Sequence, residues 1–117
     1  MFESIVKQVV DSLPDEFKSK LDNVSVVVKD HPPSPHLLGL YQGIPQTQRK
    51  YYGIGGPLPD KITVFKIPIQ NMARNRSELV QIIYDVVVHE IAHHFGMSEA
   101  EVRKAEQKRY NNVNINS

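Results

Sequence analysis

The stretch VVVHEIAHHFGMSE, from Val86 to Glu99, sets three histidines and two glutamates into a run that is otherwise largely apolar. In a helix, positions four apart lie about 40° apart in azimuth and one turn apart in height. His89 and His93 therefore project from one face, where two imidazoles can chelate one ion. Glu90 stands between them and leans toward the same cleft, where a carboxylate can hold and deprotonate a metal-bound water. These residues spell H-E-x-x-H. With no cysteine in the chain, any metal must be held by His, Asp or Glu.

The helix that carries the motif can be bounded from its flanks. Asn75 with Glu78 three residues on is a capping-box pair, and Leu79, Val80, Ile82, Ile83, Val86, Val87, Ile91, Ala92 and Phe95 follow. Apolar on nearly every side, a helix over about 76–95 is predicted to be central. Gly96 supplies a left-handed stop, and Ser98 with Glu101 opens a last helix to about Arg109. The tail from about 110 is expected to fray.

Farther out, Phe2, Ile5, Val6, Val9, Val10 and Leu13 recur at helical spacing, and Pro14 stops that helix and suits the first turn of another. Helices are expected over 2–12 and about 14–21. The β-branched run Val24 to Val28 reads as a buried strand before the breaker DHPPSP, HLLGLY at 36–41 as a second strand, and KITVFKI at 61–67 as a third, ended by Pro68. Between Gln42 and Asp60, glycines and prolines are too frequent for regular structure. A loop of that length in a small domain usually serves function or moves.

A catalytic zinc takes three protein ligands and leaves one position open for water, and two histidines on one helix cannot supply the third. Gly96 lets the chain reverse so that Glu99 can return toward the ion, giving H-E-x-x-H-x-x-G-x-x-E. A His₂Glu set leaves residual positive charge to acidify water. Helix-dipole stabilisation alone also favours an acid at position 99, and Glu101, the capping partner of Ser98, is the second choice of ligand. His94 points about 100° from His93 and is expected to hydrogen-bond a neighbour. Asp85, four residues before His89, reads as a surface carboxylate or as a partner that orients that imidazole. Tyr41, Tyr51, Tyr52, Arg49 and His36 are candidates for stabilising an oxyanion, and the sequence does not choose among them.

At 117 residues the chain suits one domain spanning 1–117, and 40% hydrophobic and 23% charged residues are ordinary for a globular protein. A net charge of +1 gives no support to a nucleic-acid partner. The start MFESIVKQVVDSL lacks the basic flank and long apolar run of a signal peptide, and no segment approaches the ~20 apolar residues of a membrane span. A cytoplasmic protein, off the membrane and of unassigned oligomeric state, is the expectation.

Three blocks, LLGLYQGIP at 37–45, LPDKITVFKIPI at 58–69 and VVHEIAHHFGMSE at 87–99, resemble the small bacterial zincin-like family, or minimal zincins, described as possible zinc metallopeptidases. The resemblance covers the last two-thirds of the chain. The family commonly has aspartate where this chain has Glu99, one methylene longer. The resemblance implies an α+β zincin core, with a short mixed sheet packed on the active-site helix, and a peptidase of poorly defined substrates. On this reading zinc is held by His89, His93 and Glu99, Glu90 is the general base, and the substrate is a peptide or unfolded protein. A non-catalytic zinc module and a zinc-dependent RNA hydrolase stand as rivals. Glu90 argues against the first, since a closed structural site needs four ligands and no base. The near-neutral charge and the carboxylate at position 90 argue against the second.

Overall fold

The computed structural model describes the backbone of residues 1–43 and 59–116, with side chains as far as Lys108. In chain order it contains α1 (Phe2–Ser12), α2 (Asp15–Lys18) running into a 3₁₀ turn (Ser19–Leu21), β1 (Val24–Lys29), β2 (Gly39–Gln42), β3 (Asp60–Phe65), α3 (Lys66–Met72), α4 (Arg76–Phe95) and α5 (Glu99–Asn116). The expected α+β architecture is present, with a small mixed sheet and helices packed around it.

The sheet order is β1-β3-β2. β3 runs parallel to β1, with Val24 opposite Asp60 and Lys29 opposite Phe65, and antiparallel to β2, with Gly39 opposite Val64 and Gln42 opposite Lys61. A central strand is covered on both faces, so Ile62, Thr63, Val64 and Phe65 are all buried. Among the described residues, no strand pairs with the outer edge of β2.

α4 is the hub. It touches α1, α2, α3, α5, β2 and β3, which explains why apolar residues occur around most of its circumference. Ile83, Val87, Val88 and Ile91 are completely enclosed, and Phe2, Ile5, Val6 and Val9 of α1 pack in the same core. The Tyr84 hydroxyl donates to the Ala105 carbonyl at 2.7 Å within the core and pins α5 against α4. Both helix starts are capped as their sequences predict. The Asn75 side chain accepts from the Glu78 N–H at 2.9 Å, and the Ser98 hydroxyl accepts from the Glu101 N–H at 3.1 Å. The return bond at Glu78 goes to the Arg74 N–H instead of to Asn75. Gly96 adopts the left-handed conformation, φ 63°, that ends α4.

The strand and helix bounds differ from the sequence reading in three places. β2 begins at Gly39 and not at His36, because His36 itself takes a left-handed turn, φ 71°. β3 ends at Phe65, and Pro68 lies in the first turn of α3, where its missing N–H costs no helical hydrogen bond. The Ile67 N–H is taken by the Asp30 carbonyl at 3.1 Å. The last helix continues to Asn116, past the expected stop near Arg109. No helix among the described residues is long and apolar enough to cross a membrane.

Candidate metal centre and its flanking clefts

One stripe of α4 runs from the edge of the core at Ile82 out to solvent at His93. Ile82, Asp85, His89 and His93 follow one another at helical spacing, and both histidines are exposed while Val87, Val88 and Ile91 beside them are buried. His89 stands on a ridge between two clefts. One, of about 330 Å³, lies between α4, α3 and β2 and is lined by Leu37, Leu38, Gly39, Met72, Ile82, Asp85, Val86, His89 and Glu90. The other, of about 490 Å³, lies between α4 and α5 and is lined by His89, Met97, Glu99, Val102, Arg103 and Glu106.

Glu90 is held by backbone. Its Oε1 accepts the Tyr41 N–H at 3.0 Å, across 49 residues of sequence. The pairing register explains why that N–H is available. Leu38 accepts from Phe65 across the β2–β3 ladder at 3.0 Å, so Leu38 and Leu40 face the partner strand while the N–H and C=O of Gly39 and Tyr41 point outward. Glu90 takes one of these outward donors, and its other oxygen has no hydrogen bond among the described residues. The half-buried carboxylate thus avoids the cost of an unpaired charge and keeps one oxygen open.

Close approach of β2 to α4 depends on Gly39. A Cβ there would fall 2.5 Å from Val86 Cγ1 and 3.4 Å from Glu90 Cγ. The ring of Tyr41 stacks on His94, with centroids 3.7 Å apart and planes 12° apart. His94 therefore meets its neighbour by stacking, where the sequence suggested a hydrogen bond. The Tyr41 hydroxyl donates to Asp60 Oδ2 at 2.8 Å. Of the other oxyanion candidates, His36 lies in an exposed turn, while Arg49, Tyr51 and Tyr52 fall outside the described residues.

On the α5 side the carboxylates are less constrained. Glu99 lines the same cleft as His89, but its side chain is 95% exposed and lies 3.9 Å from Arg103. Glu106, two turns farther along α5, brings Oε1 to 3.7 Å from His89 Nε2, too far for a hydrogen bond. Glu101 turns back to accept the Ser98 N–H and hydroxyl, each at 3.1 Å. Those bonds, the backbone donor first, hold its carboxyl below the ordinary carboxylate range. Among the described residues, no three His, Asp or Glu side chains are gathered tightly enough to hold a metal as they stand. The donor set nevertheless suits zinc in kind, with two exposed imidazoles on one helical face and carboxylates across the cleft that His89 lines, while His93 lines neither cleft.

The model of the zincin-like metallopeptidase family matches residues 21–109. The chain belongs to the zincin-like metallopeptidase family. The match takes in the sheet, α3, α4 and the start of α5, and leaves α1 and α2 before it. No curated protein matches the chain. Zincin-like peptidases act through zinc; in α4, apolar around most of its girth, His89 and His93 are exposed and Glu90 is half-buried beside them. Glu106 and the two clefts escaped the sequence reading of this zincin. The spacing of seven between Glu99 and Glu106 was the available signal, since it places both on one face of α5.

Proposed function

We propose that the protein is a zinc-dependent peptidase in which His89, His93 and Glu99 hold the metal and Glu90 is the general base. The observation that carries this reading is the state of Glu90. It stands beside His89 with Oε1 fixed by the Tyr41 N–H and the other oxygen open, which suits a base that must present one oxygen in a constant direction. Zinc, when bound, supplies a dication that acidifies water and polarises a carbonyl. Oε2 of Glu90 accepts the proton of the attacking water and returns it to the leaving amine. An unfolded or short peptide is the substrate class on this reading, since a peptidase acts on an extended segment of chain.

Glu90→Gln tests the reading cleanly, because the amide oxygen can still accept the Tyr41 N–H and leave β2 in place. Zinc content and hydrolysis of a denatured protein are measured for wild type and variant after zinc loading. The expected result is about one zinc per chain in both and a loss of turnover of at least about a hundredfold in the variant. Equal turnover in the variant would remove Glu90 from the chemistry. Tight zinc binding with no hydrolysis by wild type would point to a non-catalytic zinc module.

A further inference from the structure

We propose that His94 is a positioning residue: its ring, stacked on Tyr41, fixes the backbone N–H of Tyr41 that in turn holds the Glu90 carboxylate. The use of this link in turnover rests on the peptidase reading, whereas the link itself rests on packing alone. Val86, Glu90 and His94 stand four residues apart along α4 and so form one row, beside the row of His89 and His93. That row meets β2 residue by residue. A Cβ at Gly39 would fall against Val86 and Glu90, the Tyr41 N–H donates to Glu90 Oε1 at 3.0 Å, and the Tyr41 ring lies on the His94 ring with centroids 3.7 Å apart. Gly39 and Tyr41 alternate onto one face of the strand, so a single face of β2 carries both the close approach to α4 and the stack.

The N–H needs such support. β2 has four residues with Tyr41 last but one, and among the described residues no strand pairs with its outer edge. The end of a short edge strand opens locally at little cost, and misplacing a reacting group by about 1 Å can cost about a hundredfold in rate. The Tyr41 side chain is held at three points that oppose this. His94 covers one face of the ring, Phe95 stands perpendicular to it with centroids 5.9 Å apart, and Asp60 Oδ2 accepts from the hydroxyl at 2.8 Å. Asp60 is fixed in its turn where β3 begins, by its N–H to the Asn23 carbonyl at 3.0 Å. His94 is exposed, so its stack adds little to the core. Its consequence is where it sets Tyr41.

Hydrogen exchange of the Tyr41 amide, with and without zinc, tests this in the absence of substrate. The N–H points away from the ladder, and its protection reports the bond to Glu90. Glu90→Ala gives the rate of the amide once that bond is gone. His94→Ala is expected to raise exchange by about threefold to tenfold toward that rate, and His94→Phe, which keeps a flat ring and loses the imidazole nitrogens, to restore protection. In the zinc-loaded enzyme, His94→Ala is expected to lower kcat by about threefold to tenfold with KM and zinc content unchanged, and His94→Phe to recover it. Exchange in His94→Ala equal to that of wild type overturns the proposal. A His94→Phe variant that behaves like His94→Ala also overturns it, because the effect would then belong to the imidazole nitrogens and not to the stack. Faster exchange in His94→Ala with kcat unchanged overturns the positioning role and leaves the peptidase reading standing. Exchange that responds as expected, in a wild-type protein that hydrolyses no peptide, keeps the link from His94 to Glu90 and removes the peptidase reading.

Discussion

The two clefts that meet at His89 are built by opposite means. On the β2 side the wall is backbone and close packing: Gly39 pressed against Val86, the Tyr41 N–H fixed to Glu90, and the Tyr41 ring stacked on His94. On the α5 side the backbone is anchored by the buried Tyr84 hydroxyl, but the facing groups are long side chains in water. Glu99 is 95% exposed and Arg103 is 73% exposed. Glu90 therefore sits on a wall that is already organised, whereas Glu99 and Glu106 sit on one whose side chains are still spread in water. Metal affinity and scaffold stability should accordingly respond to different residues.

The largest effect is expected on the α5 wall. Glu99→Ala removes an exposed side chain, so stability without metal should change by no more than about 0.5 kcal/mol. Zinc affinity should fall more than about a hundredfold, because loss of a ligand exceeds the tenfold to hundredfold cost of losing its outer partners. Glu106→Ala, removing the carboxylate 3.7 Å from His89 Nε2, should weaken zinc by about tenfold. Competition with a chromogenic chelator measures both. The reverse order, with Glu106→Ala losing the metal and Glu99→Ala keeping it, would transfer the third ligand to Glu106.

On the β2 wall the expected effect is smaller and of another kind. Gly39→Ala must relieve a contact of 2.5 Å with a stiff, buried valine. Overpacking of this sort costs about 1–3 kcal/mol and pushes β2 off α4, loosening the Tyr41 bond to Glu90. Thermal melting should show the loss, turnover should drop, and zinc affinity should stay near that of wild type. A variant that melts like wild type would mean that β2 can move away at no cost, and the claim that packing organises this wall would fail.

This division also explains what the sequence could disclose. α4 and both caps are local features, written in residues three or four apart, and Asn75, Gly96 and Ser98 stand where their spacing places them. The end of β3 was ambiguous because Val64, Phe65, Ile67 and Ile69 suit either an alternating strand or a helix entered at Lys66, and Pro68 can end the one or begin the other. His89, Glu90 and His93 were legible because one helical turn unites them. The bond from Tyr41 to Glu90 was not, since it depends on β2 being an edge and on which of its residues face outward. Glu106 was hidden for a related reason: the pitch of α5 sets Glu99 and Glu106 on one face, but only the packing of α5 on α4 brings Glu106 toward His89.

The helices behind the two walls differ once more in how their first turns are held, and this gives the smallest expected effect. Glu78, before the Ile82 end of α4, is held below the ordinary carboxylate range first by the Arg74 side chain and then by the Arg74 N–H. Glu101, at the start of α5, is held down first by the Ser98 N–H and then by its hydroxyl. A lowered folded-state pKa means that each carboxylate contributes stability above its unfolded value, about 4.3, and loses it as pH falls through the lower folded value. Salt should separate the two, since an exposed guanidinium pair is screened whereas a bond from a neutral donor is affected far less. Carboxyl ¹³C titrations at low salt and at about 0.5 M salt should therefore move Glu78 upward toward the ordinary range and leave Glu101 nearly where it was. Equal movement would show that charge dominates both caps and that the start of α5 has no neutral anchor of its own.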